Sequence, residues 1–190
     1  MSALVIVLRT VAVLAFAGVL LGVGARRGGH ETRARHRGGS RGPVAANLAA
    51  VGLFFLSLII FSGSANGVTA LLMAASGSPL AVAGAALVLR SRAELGPAWS
   101  LVPKAGQETG LVTTGPYRWI RHPIYLGFAL LALGEALAFR NWLACSIALC
   151  GIAPTFAWRA RAEETLLSRT FGEGYRLYQR RTKLIFPYLL

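Results

Sequence analysis

Five apolar runs divide this chain, and a fold in water has no way to bury them all. They lie at Leu4 to Gly24, Val44 to Phe61, Val68 to Leu89, Ile124 to Phe139 and Trp142 to Trp158. About 20 consecutive apolar residues cross the core of a bilayer, so the first three runs are long enough to span it. At about 1.5 Å of rise per residue, the last two fall several ångströms short of a core roughly 30 Å thick. They are expected to extend at their polar ends. The fourth can begin near Pro123, because proline suits the first helical turn, and the fifth can continue past Trp158 into Arg159 to Leu167. Ser62 to Gly67 and Arg140 to Asn141 read as tight turns, and Arg9 is close enough to a helix end to snorkel.

The charges orient these runs. The chain carries 20 Lys and Arg against 7 Asp and Glu, a formal net charge of +13. In a soluble protein that balance would suggest a nucleic-acid partner. Here the basic residues fall in blocks from Arg26 to Arg41, Arg90 to Arg121 and Arg159 to Lys183, leaving only Arg9 and Arg140 elsewhere. Basic connections after the first, third and fifth runs put the amino terminus outside and the carboxyl terminus in the cytosol. The expected partner of the positive charge is therefore the lipid bilayer, with its anionic headgroups, rather than nucleic acid. Topology alone accounts for the Arg26 to Arg41 loop. Leu4 to Gly24 runs into arginines rather than a small-residue cleavage site and reads as a retained span. Cys145 and Cys150, five residues apart, read as small packing residues on different sides of one helix, not as a metal pair.

Within this frame, Gly77, Ala81, Gly84 and Ala85 supply the small surfaces on which membrane helices approach closely. Pro79 predicts a kink in the third span. Arg90 to Gly115 reads as an irregular loop, punctuated by Gly96, Pro97, Pro103 and Gly106. Arg161 to Tyr178 alternates charged and apolar positions as a surface helix does, with Leu166, Leu167, Phe171 and Tyr175 on one face.

Two clusters could carry chemistry: Thr114 to Gly127, with Tyr117, Trp119, Arg121, His122, Pro123 and Tyr125 leading into the fourth run, and Arg159 to Glu164 leaving the fifth. A helical hairpin brings their ends together. The first precedes a helix whose unpaired N–H groups and dipole favour an anion such as a carboxylate. Its aromatics offer faces to a purine or a sulfonium cation, and Glu163 and Glu164 supply the opposite charge. Taken singly, each residue has an ordinary explanation. Aromatics and arginines anchor helices at membrane interfaces, and adjacent glutamates usually face solvent beside a basic residue one turn away. Physics alone reaches only a zwitterionic ligand. Glu135, the one acid deep in an apolar run, is expected to pair with Arg140 or Arg9.

Arg121-His-Pro-Ile-Tyr-Leu-Gly127, followed by an apolar hairpin and Glu163-Glu164, resembles the isoprenylcysteine carboxyl methyltransferase family. The resemblance extends upstream through Leu111-Val112-Thr-Thr-Gly-Pro-Tyr117 and downstream through Phe171-Gly-Glu-Gly-Tyr175 to Pro187. It implies S-adenosyl-L-methionine as methyl donor, with Leu111, Val112, Tyr117, His122, Pro123, Ile124, Tyr125, Glu163 and Glu164 at cofactor positions and Arg159 facing the acceptor. Glu164 and His122 become candidate bases for an acceptor that must lose a proton; no metal is implied. Thr109 stands where eukaryotic members tend to carry histidine.

The expected fold is all-α: a polytopic membrane protein of about five transmembrane helices whose cytosolic C-terminal helix closes a cofactor pocket. One domain, 1–190, is expected, with three N-terminal spans in 1–89, a basic loop at 26–43, and a catalytic half at 90–190 holding the hairpin 123–158. The expected reaction is methyl transfer to a lipophilic or small-molecule acceptor at the cytosolic face. Alternatives are phospholipid N-methylation, NADPH-dependent reduction of a sterol-like double bond, and a non-catalytic scaffold.

Overall fold

The structure, a computed structural model, describes residues 2–24, 41–96 and 110–185. The basic loop between 26 and 40, Thr109 and Pro187 lie outside these residues. The chain forms α1 (Ser2–Gly24), α2 (Arg41–Phe61), α3 (Val68–Leu95), a 3-10 turn (Gly115–Arg118), α4 (Pro123–Ala138), α5 (Trp142–Ile147), a π turn (Ala148–Ile152) and α6 (Ala153–Arg181). The π turn joins α5 and α6 into one helical rod, Trp142–Arg181. That rod, with α1, α2 and α3, is long and apolar enough to cross a membrane, whereas α4 is shorter. Large apolar side chains such as Leu14, Leu21, Leu53 and Ile59 stand exposed on the outer surface, which a lipid solvent accepts and water does not. This is an integral membrane protein.

The short α4 holds its place by packing against α3, backbone to backbone. A Cβ added to Gly84 would sit 2.6 Å from the Gly127 carbonyl oxygen, and one added to Gly134 would sit 2.7 Å from that of Gly77. Small residues on both helices thus remove the side-chain layer between them, the usual source of close packing in lipid. Ala81 and Ala85 are buried in the same seam. α3 runs through Pro79 as one helix, Val68–Leu95, so the proline does not interrupt the span. It also continues to Leu95, so the helix claims Arg90 to Leu95 from the expected loop. Nothing in that stretch breaks a helix until Gly96, whose φ of +50° ends it ahead of Pro97.

α4 begins at Pro123, as its first-turn proline suggests. Between α4 and α5, Arg140 takes a φ of +51°, and Asn141 caps α5 by accepting from the Ala144 N–H at 2.8 Å. The Asn141 amide also donates to the Ser57 carbonyl at 2.7 Å, which ties this turn to α2. Cys145 is buried and Cys150 exposed on the rod. Beyond Trp158 the rod becomes strongly charged and leaves the apolar span. The expected surface helix is therefore the uninterrupted end of that span, broken only at Gly172, where φ is +55°.

Substituting Gly84→Leu or Gly134→Leu forces a side chain into backbone that cannot move aside. Overpacking costs about 1–3 kcal/mol or more, so both variants should lose thermal stability or fail to purify as a monodisperse species in detergent. Gly52→Leu, where an added Cβ meets nothing within 4 Å, should purify normally and serves as the control.

Candidate functional site

The segment before α4 is held by the end of the described chain. Lys183 donates its N–H to the Trp119 carbonyl at 3.1 Å, and the N–H groups of Arg121 and His122 donate to the carbonyls of Lys183 and Leu184 at 2.8 and 3.0 Å. This short parallel pairing fixes the direction in which His122 leaves the backbone. It also alters the expected anion site: the His122 N–H is occupied, Pro123 has none, and the Tyr125 N–H turns back to the His122 carbonyl. The α4 N-terminus thus has little left to offer an anion.

Side chains from three segments then converge. Glu164 Oε1 accepts from Arg121 Nε at 3.0 Å and from the Tyr175 hydroxyl at 2.6 Å, and lies 3.0 Å from His122 Nε2. Its other oxygen accepts from Gln179 at 2.5 Å. Arg121 also donates to the carbonyls of Gln179 and Thr182. Glu163, one residue earlier, accepts from the Tyr125 hydroxyl and from Arg159 Nε at 3.2 Å, and lies 3.7 Å from His122 Nδ1. His122 is thereby flanked by both glutamates. Its ring stacks on Tyr125 at 5.5 Å and 3°, Tyr125 on Phe156 at 5.0 Å and 14°, and Phe156 on Phe128 at 5.9 Å and 19°. The stack leads from the charged cluster into the apolar interior.

A cavity of about 590 Å³ follows that stack, within the range of small-molecule sites. At its charged end it is lined by Tyr117, Arg121, His122, Tyr125, Arg159 and Glu163, with Leu111, Val112 and Ile124 beside them. Its apolar end runs between α1 and α2 on one side, through Phe16, Leu20 and Val51, and α4 and α6 on the other, through Phe128 and Phe156. Pro123 is buried at the start of α4 and outside the lining, and Glu164 sits behind the cavity wall. Glu135 lines the cavity and, among the described residues, has no ion pair, correcting the expected one. Arg9 turns instead to the carbonyls of Ala138 and Ser64.

Residues 72–174, just over half of the chain, match the phospholipid methyltransferase family. The chain belongs to this family. Among the curated relatives of this phospholipid methyltransferase family member is protein-S-isoprenylcysteine O-methyltransferase of Saccharomyces cerevisiae, 34% identical over 96 residues, covering 50% of this chain and 40% of the relative. The nickel-cobalt-cadmium resistance protein NccN of Alcaligenes xylosoxydans xylosoxydans is 35% identical over 98 residues, or 51% of this chain and 46% of that protein. The chain thus matches less than half the length of either relative. The solved structure of the eukaryotic intramembrane Ras methyltransferase ICMT (isoprenylcysteine carboxyl methyltransferase) shares the fold, with a TM-score of 0.60 at 19% identity over 93% of this chain and 63% of that one.

Sequence reasoning placed His122, Tyr125, Arg159 and Glu163 in one cluster but missed several of their supports. Gln179 and Tyr178 lie one turn beyond Tyr175, a signal available in the helical pattern. The Tyr178 hydroxyl donates to the Tyr117 carbonyl at 2.7 Å. Glu94, which accepts from Thr114 at 2.9 Å and braces the loop before the 3-10 turn, had no signal while Arg90 to Gly115 read as irregular.

Burial opposes a charge on Glu164, yet hydrogen bonds from His122, Tyr175 and Gln179 overcome it and draw the carboxyl from 4.5 down to about 2. A carboxyl lowered on folding contributes stability that is fully present above its ordinary range and lost as acid approaches the lowered value. The thermal midpoint should therefore fall between pH 4.5 and about 2. Glu164→Gln should be less stable at neutral pH and show a flatter acid limb, measured by thermal unfolding in detergent.

Proposed function

We propose that this chain transfers a methyl group from S-adenosylmethionine to a lipophilic acceptor at the cytosolic face of the membrane. The observation that carries this reading is one continuous cavity, charged and aromatic at one end and apolar at the other. Such a space suits a zwitterionic donor meeting an acceptor drawn from lipid, and methyl transfer chiefly requires that the two be aligned and water excluded. The basic blocks near the charged end favour the cytosolic side.

The residues present fit the donor's chemistry. Glu163 presents a carboxylate to an ammonium, Arg121 a guanidinium to a carboxylate, and Tyr117 and Tyr125 aromatic faces to adenine or a sulfonium. When bound, S-adenosylmethionine supplies an electrophilic methyl carbon. Tyr125 and Arg159 hold Glu163 in place before any ligand arrives, while Leu111, Val112 and Ile124 keep water from the charged end. Pro123 starts α4 and so sets the position of Ile124 and Tyr125. Glu164, behind the wall and holding four partners, is assigned to positioning His122 and Arg121 rather than to proton transfer. His122 lines the cavity and is the residue to take a proton from an amine, thiol or phenol acceptor; a carboxylate acceptor needs no base. Arg159 faces the acceptor side of the cluster.

The curated relatives named for isoprenylcysteine favour a thioether acid carrying a long apolar chain as acceptor. The family description favours phospholipid amines as the second reading. Calorimetry on detergent-purified protein should give binding of S-adenosylmethionine and S-adenosylhomocysteine and none of NADPH; binding of NADPH alone would reject the proposal. Glu163→Ala and Tyr125→Ala should weaken donor binding about tenfold or more, the scale of a lost charge-assisted hydrogen bond, whereas Glu173→Ala, at an exposed pair with Arg176, should not. Equal affinity in all three variants would mean that the donor lies elsewhere.

A further inference from the structure

We infer that Glu135 reads a hydrogen-bonding group at the far end of the acceptor, so that the preferred acceptor is a long apolar chain with a polar terminus. This rests on the methyltransferase reading for what happens at the other end of the cavity. Glu135 shares the face of α4 that carries Ile124, Phe128 and Leu131, all of which line the cavity with it. At about 1.5 Å per residue, Glu135 lies some 20 Å along the helix from His122. The carboxyl is thus at the opposite end of the same space, and the residue is 4% exposed.

A carboxyl buried among apolar groups is costly unless it finds a partner. Among the described residues Glu135 has no side-chain hydrogen bond or ion pair, and two polar side chains at the end of α4 turn elsewhere. Arg9 donates to the Ala138 carbonyl at 2.9 Å. Asn141 is held by the Ser57 carbonyl and the Ala144 N–H. Both are committed to backbone, which leaves the cavity as the side from which a partner can come. A hydroxyl or amine satisfies the acid in either protonation state, because carboxyl oxygens accept hydrogen bonds in both. A methyl terminus would leave it unsatisfied.

The test uses two thiopropionate thioethers with saturated chains of about 20 Å, matched to the rise of α4, one ending in a methyl group and one in a hydroxyl. Their affinities for the full-length protein are measured in detergent by calorimetry without donor. The hydroxyl-ended chain should bind the wild type about tenfold more tightly than the methyl-ended chain, the scale of one buried hydrogen bond. Glu135→Leu should remove or invert that preference, and Glu135→Gln, which keeps shape and hydrogen bonding, should retain part of it. Equal wild-type affinities, a preference unchanged in Glu135→Leu, or no binding of either chain overturns the inference. Donor binding, measured separately on the same preparations, reports folding and tests the methyltransferase reading independently: a wild type that distinguishes the chains yet binds no S-adenosylmethionine retains the Glu135 site and rejects the donor.

Discussion

One carboxylate closes the charged end of this molecule. Glu164 gathers Arg121 and His122 from the segment before α4, and Tyr175 and Gln179 from the chain beyond the break at Gly172. Apolar burial of Ala160, Leu184 and Ile185 against Tyr125 and Leu126 brings the same segments together, and the carboxylate sets their register. A half-buried acid strongly favours paired over unpaired surroundings, so the return of the chain after Gly172 satisfies Glu164 and at the same time fixes His122. The pairing of Lys183 and Leu184 with the segment before α4 follows from that return. Glu163, on the adjacent position of the same helix, then faces the cavity with its orientation already set.

The walls of the cavity differ in kind. On one side α3 and α4 meet through glycines with no side chains between them, and such a contact has little freedom to slide. On the other side α1 and α2 present Phe16, Leu20, Val51 and Phe55, whose rings and branched chains can change rotamer without moving a backbone. Phe16 and Phe55 touch at 4.9 Å. A ligand arriving from lipid therefore meets one firm wall, which carries Tyr125 and Phe128 of the aromatic stack, and one that can adapt to its shape.

Much of the architecture was legible because the bilayer is a strict solvent. The five apolar runs, the start of α4 at Pro123 and the turn at Arg140 and Asn141 all follow from length, proline geometry and capping. The convergence of His122 with Glu163 was legible from hairpin geometry together with motif resemblance. What escaped were features decided by tertiary partners. The end of α3 was hidden because Arg90 to Leu95 is polar, and polarity resembles a loop until a breaker appears. Glu135 was expected to seek Arg9 or Arg140, since it lies near Arg140 towards the outer face, but the Ala138 and Ser64 carbonyls took Arg9 first. The division of labour between Glu163 and Glu164 could not be read at all: adjacent helical positions differ by about 100°, and only packing decides which of them faces the cavity.

The π turn at Ala148–Ile152 has a consequence for that same angular question. Buried positions recur along the rod at Ala144, Ala148, Ile152, Phe156 and Ala160, every fourth residue. On a regular helix each step of four overshoots a full turn by about 40°, so a straight stripe with that repeat would wind away from its neighbours. The wider turn, in which the Ala153 N–H reaches back to the Ala148 carbonyl, absorbs one residue and resets the phase. Deleting a single residue between Ala153 and Arg159 instead, where the helix is regular and has no wide turn to absorb the change, would swing its polar extension about 100° aside, carrying the carboxylates out of register with the histidine they flank.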